Sequence, residues 1–154
     1  MLYPKRSKTD FIFVHCTATV EGKEFHVKDI DKMHRARGFN GIGYHYLIAL
    51  NGDVEIGRPH DTVGAHVQNY NSRSVGISYV GGVDANNKAK DTRTPAQKAS
   101  MVALLASLKS KYPNAKILGH RDISPDKNGN GRVDPFERIK ECPCFDAIPE
   151  YADL

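Results

Sequence analysis

Seven histidines and three cysteines are the side chains of this 154-residue chain best suited to hold a metal. Two of the cysteines, Cys142 and Cys144, flank a proline in "ERIKECPCFD" (137–146). Their C-x-C spacing is not the C-x-x-C of a zinc knuckle, and no second pair completes a ribbon. The choices left are a disulfide, plain packing, or one ligand of a metal whose partners lie upstream. Three cysteines are too few, and too odd a number, for a disulfide-stapled scaffold. If metal is bound, histidines must supply most of the ligands. His15 and His120 stand at the ends of apparent strands, before "CTAT" and "RDIS". A His/His/Cys set gives zinc three protein ligands and leaves a fourth position for water. The plainer alternative is that both histidines are ordinary polar residues at strand ends.

The elements that would carry these residues are legible. "FIFVHCT" (11–17) reads as a strand, and "HVKDIDKMHRARG" (26–38) as a helix stopped by Gly38. "YHYLIAL" (44–50) is a strand, and "NGD" (51–53) is a hairpin turn leading into "VEIG". "SVGISYVGG" (74–82) is a further strand. "TPAQ" opens a helix, with Thr94 as N-cap, Pro95 at the first position and Gln97 closing a capping box. Met101, Leu104, Leu105 and Leu108 give that helix its apolar stripe. "AKILG" (115–119) is a short strand that delivers His120, and "DANNKAKDTR" (84–93) reads as an exposed loop. Strands alternating with helices predict an α/β fold, a central mixed β-sheet flanked by helices in a single domain over 1–154. Cys16 follows His15 on its strand, so it should face the opposite way and pack in the core.

Composition excludes several classes. With 40% hydrophobic and 26% charged residues the chain should fold. A net charge of +4 without a long basic run is poor evidence for nucleic-acid binding. No stretch nears the roughly 20 apolar residues of a membrane span, so no membrane insertion is expected. The apolar run in "MLYPKRSKTDFIFVHC" is too short for a signal peptide, which predicts synthesis in the cytoplasm without an export signal. A monomer is the default expectation.

Six stretches together carry a resemblance: "DFIFVHCTAT" (10–19), "GYHYLI" (43–48), "VGAHVQNYNSRSVGISYVGG" (63–82), "TPAQ" (94–97), "GHRD" (119–122) and "KECPCFD" (140–146). In this order they resemble the zinc-dependent N-acetylmuramoyl-L-alanine amidases, which share the peptidoglycan recognition protein fold. The likeness is strongest to the small amidase lysozymes of T-odd coliphages, and it covers a core of about 10–146. The resemblance implies an enzyme that hydrolyses the bond between N-acetylmuramic acid and L-alanine in peptidoglycan, acting on the cell wall after release as a phage-type endolysin. It implies Zn2+ bound by His15, His120 and Cys142, with Cys144 at a variable position. It also implies catalytic roles for Tyr44 and Lys140. His66 and Asn71 fall on the segment that lines the substrate groove, where His66 would contact the muropeptide or buttress the site. Lys140 near the metal would stabilise an oxyanion, and Tyr44 would orient water or the carbonyl. A phage RNA polymerase is a further partner raised by the resemblance, although no motif here speaks for it. The competing function is a peptidoglycan-binding module without activity. A glycosidase would want paired carboxylates, and none has motif support.

Between His120 and Lys140 this chain departs from the coliphage pattern with an insertion, "DKNGNGRVDPFE" (126–137). It fits the calcium-loop template through Asp126, Asn128, Asn130, Gly131 and Glu137. Asp134 falls at the ninth position, and the Arg132 carbonyl at the seventh. A structural Ca2+ clip is one expectation. The other is a plain N-cap, Asp134-Pro135-Phe136-Glu137, opening a short helix.

Overall fold

The computed structural model describes residues 3–154; Met1 and Leu2, within the expected domain, lie outside the described residues. The fold is α/β, as expected. Among the described residues seven strands run β1 (Phe11–Cys16), β2 (Thr19–Val20), β3 (Tyr46–Ile48), β4 (Val54–Ile56), β5 (Ser74–Tyr79), β6 (Gly82–Val83) and β7 (Lys116–Gly119). The helices are α1 (Val27–Ala36), α2 (Pro95–Lys111) and the single turn α3 (Ala147–Glu150). Five strands form one sheet in the order β4-β3-β5-β1-β7, while β2 and β6 pair separately. β1 lies parallel to both β5 and β7, and β3 is parallel to β5. Only the predicted hairpin partner, β4, runs antiparallel.

The sheet has two faces with different tasks. Ile12, Val14 and Cys16 of β1 join Val75, Ile77 and Tyr79 of β5 in a core against Met101, Leu105 and Leu108 of α2. Cys16 is thus in the core, as strand alternation requires. Thr94 accepts from the Gln97 amide at 3.0 Å, closing the expected capping box, and the Gln97 side chain donates to the Ile48 and Val80 carbonyls. The other face of β1 carries Phe11, Phe13 and His15. There Phe11 and Phe13 pack edge-on against Tyr70, and Phe13 against the His66 ring.

The loop 84–93 departs from expectation at its end, and the tail adds to the core. Most of 84–92 is exposed or half-buried, but Arg93 is buried. Its guanidinium pairs with Asp91 and Glu150 and lies over the Phe145 ring. The tail after Asp146 forms only one helical turn, yet Ala147 and Tyr151 enter the core. Among the described residues no helix is long and apolar enough to cross a membrane.

Candidate metal centre and cleft

In a mostly parallel sheet, ligands gather beyond the carboxyl ends of the strands. His15 is the penultimate residue of β1, and β7 runs directly into a 3-10 turn that begins with His120. The segment after the insertion brings Cys142 over the same edge. The ligand atoms of His15, His120 and Cys142 lie within 4.8 Å of one another, and among the described residues no other group of three His, Cys, Asp or Glu does so. Cys142 Sγ is 3.7 Å from His15 Nδ1 and accepts from the Cys16 amide at 3.2 Å. Cys144 is turned away: its Sγ lies 3.8 Å from Cys16 Sγ, and all three cysteines are free.

His15 is oriented from behind. Its Nε2 sits 2.9 Å from His66 Nδ1, and His66 Nε2 sits 3.2 Å from Ser74 Oγ. With Nε2 of His15 donating into this chain, Nδ1 is left as a lone-pair donor facing Cys142. His66 is buried and has its backbone amide held by Asn71 Oδ1 at 2.8 Å. Asn71 also accepts from the Val67 amide at 2.9 Å, so it shapes the loop that seats His66. Gly76 makes room for that ring, because a Cβ there would come within 2.7 Å of it. Of the two roles expected for His66, the buttress is the one these contacts serve. Both of these histidines are held neutral. Burial first, then the charges of His66, His120 and Lys140, pushes His15 well below 6.5. Burial and Lys140 bring His120 to about 4.

Two imidazoles and a thiol are a donor set that suits zinc, and the neutral rings and free Nδ1 fit a metal placed among them. The loop-borne ligand is clamped electrostatically. The Arg121 amide donates to the Cys142 carbonyl at 2.8 Å, and its buried guanidinium pairs with Asp146 and Glu141. Asp122 Oδ2 caps the Gly119 amide at 2.7 Å. Sequence reasoning passed over these residues, although "GHRD" and "CFD" already hold the Arg and the Asp that meet.

Around this centre is a cleft of about 710 Å³. Tyr44, Lys140, His66 and Asn71 all border it, as do Arg37, Met33 and Ile139. The Tyr44 ring lies 5.1 Å from the His15 ring, and its hydroxyl is 3.5 Å from the Cys16 carbonyl oxygen. Burial raises the phenol above its ordinary range, with the nearby Cys142 adding to the effect. No aspartate or glutamate is among the described residues lining the cleft.

The calcium expectation finds no support in the loop's own contacts. Asp126, Asp134 and Glu137 do not converge with one another as a cation group. Glu137 is buried and accepts from the backbone amides of Lys127, Asn128 and Asp134. Asp126 accepts from the amides of Gly129, Asn130 and Gly131. Asn128 and Asn130 present NH2 donors to Asp134 Oδ2, and Arg132 Nε pairs with Asp134 Oδ1 at 3.1 Å. The oxygens are thus satisfied by the loop itself, which ends in the capped turn Pro135–Glu137.

Residues 5–137 match the model of the N-acetylmuramoyl-L-alanine amidase family, a span that stops short of Lys140 and Cys142. The endolysin of Klebsiella phage KP32 is 40% identical over 144 residues, covering 94% of this chain and 86% of that protein. The endolysin of Escherichia phage T7 is 37% identical over the same shares. Among solved structures, the endolysin amidase LysCS from Clostridium intestinale superposes with a TM-score of 0.71 at 29% identity, over 94% of this chain and 80% of that one. Fold, metal-ready cleft and sequence likeness agree: the chain belongs to the N-acetylmuramoyl-L-alanine amidase family.

Proposed function

We propose that this amidase holds zinc between His15, His120 and Cys142 and works as an endolysin. In this reading it is made in the cytoplasm and, after release, cuts the bond between N-acetylmuramic acid and L-alanine in the bacterial wall. It acts as a monomer with one amidase domain. The observation that carries the reading is the convergence of two neutral imidazoles and a thiol in an open cleft at the carboxyl ends of β1 and β7. When bound there, zinc supplies Lewis-acid chemistry, polarising a carbonyl and lowering the pKa of water towards about 7.

The protein's own groups do the remaining work. Lys140, exposed at the cleft wall, sets a positive charge where negative charge grows on the scissile carbonyl oxygen. Tyr44 stays protonated and offers its O–H to the carbonyl or the attacking water. His66 and Ser74 hold the imidazole of His15 in the tautomer that leaves Nδ1 free. Arg37 and Lys140, in a lining without carboxylates, favour a substrate whose peptide carries negative charge.

Digestion of purified peptidoglycan tests the reading. New L-alanine amino termini without new reducing sugar ends are expected. Tight binding with no new ends would instead make the protein a recognition module, and new reducing ends would refute the site.

A further inference from the structure

The insertion 126–137 exposes a hydrophobic side chain three residues before Ile139, which lines the cleft, while burying a charged one. Glu137 is 2% exposed, whereas the adjacent Phe136 is 73% exposed and Ile139 is 69% exposed. This inversion is built, not slack. Three backbone amides hold the Glu137 carboxylate, Asp134 caps the turn, and the Ile139 amide donates to Ser124 Oγ at 3.0 Å. The chain has six phenylalanines. Five of them pack against an aromatic ring or under a cation, and Phe136 does neither. A fixed, outward phenyl ring gains no burial free energy until something covers it.

We propose that Phe136, continued by Ile139 at the cleft wall, is a platform on which the glycan strand of polymeric peptidoglycan lies. The inference rests on the amidase reading above. Ile139 lines the cleft and is followed directly by Lys140, so the segment that carries Phe136 runs along the chain into the place where the scissile bond must sit. The two halves of the substrate differ in chemistry. The peptide carries carboxylates, which suit Arg37 and Lys140. The glycan is built of sugar rings with C–H faces and N-acetyl methyl groups, which suit a phenyl and an isoleucyl side chain. The guanidinium groups nearest Phe136 in sequence are already paired, Arg132 with Asp134 and Arg138 with Glu141 and Asp146. The platform therefore favours an uncharged apolar face over an anionic polymer.

The test compares the parent protein with Phe136→Ser and Phe136→Tyr on two substrates, intact sacculi and a soluble muropeptide of one repeat. Phe136→Ser should cleave sacculi about fivefold to tenfold more slowly, the size expected for a partly desolvated ring. Its rate on the soluble muropeptide should stay unchanged, and Phe136→Tyr should behave as the parent on both. Equal losses on both substrates, or no loss on either, overturn the proposal. So does loss of binding to phosphatidylglycerol vesicles with sacculus cleavage intact, which would assign the ring to lipid. A parent protein that cleaves neither substrate refutes the amidase reading itself, a separate outcome.

Discussion

His15 and Cys142 face one another across 3.7 Å, but different forces hold them there. His15 stands one residue before the end of the buried strand β1, which is flanked by β5 and β7, with His66 behind it. Its position follows from apolar packing and a hydrogen-bonded ladder. Cys142 comes at the end of a long irregular segment that is exposed through most of 125–141. Charged clamps fix that segment: Arg121 to Asp146, Arg138 to Glu141, and Arg93 beneath Phe145 to Glu150. A metal bound between the two halves joins a rigid sheet to an ion-paired flap. The sheet half should resist salt and surface mutation, and the flap should not.

The comparison breaks most visibly at Arg93. Its guanidinium is buried, and Arg93→Ala leaves Asp91 and Glu150 without their shared cation and Phe145 without cover. Chemical denaturation should show a loss of about 3 kcal/mol. A loss below about 1 kcal/mol would mean that the tail is held by the core alone.

Next is the pH response of the sheet half. Burial lowers His34 and His45 to about 4, from an ordinary 6.5. Below pH 6.5 the unfolded chain therefore takes up protons that the folded chain refuses, so stability falls as pH drops from 6.5 towards 4 and is flat above it. His45, wholly buried between the Thr62 carbonyl and the Gly76 amide, should account for on the order of 2 kcal/mol of that fall. Denaturant midpoints measured across this window should flatten in His45→Gln. An unchanged slope would show that His45 is not the group responsible.

His66→Ala sharpens the contrast from within the sheet. The ring is buried, and its Nδ1 lies 2.9 Å from Nε2 of His15, where a hydrogen bond fixes the orientation of that imidazole. Competition titration with a zinc chelator should show a 10- to 100-fold weaker site, about the cost of losing an orienting partner. Equal zinc affinity would reduce His66 to packing. Smallest of all is Arg138→Ala. Its partners Glu141 and Asp146 are largely exposed, so a shift of only about 0.5 kcal/mol is expected, vanishing in high salt.

The same division explains what could be read from the sequence. The sheet half writes itself locally: "FIFVHC" is a run of strand-forming residues that carries His15 one place before its end, and "TPAQ" is a helix cap with both reciprocal bonds. Cys16 in the core follows from period-two alternation. The flap half depends on partners far apart in sequence. Arg93 meets Glu150 across 57 residues and Arg121 meets Asp146 across 25, and no local pattern announces either. The calcium template in 126–137 goes without support for a related reason. The residue types that ring a cation also satisfy a loop's own backbone amides, and only the fold reveals which they do. His66 was visible as a groove residue, but its contact with His15 needed Gly76 and the β5 register to appear.

The central claim is that one metal is shared by the two halves through His15, His120 and Cys142. X-ray absorption at the zinc edge, on protein loaded with zinc, tests it most directly. The account predicts one sulfur and two imidazole ligands, with the sulfur signal lost in Cys142→Ala and kept in Cys144→Ala. A site with no sulfur, or one that loses its sulfur only with Cys144, would contradict it.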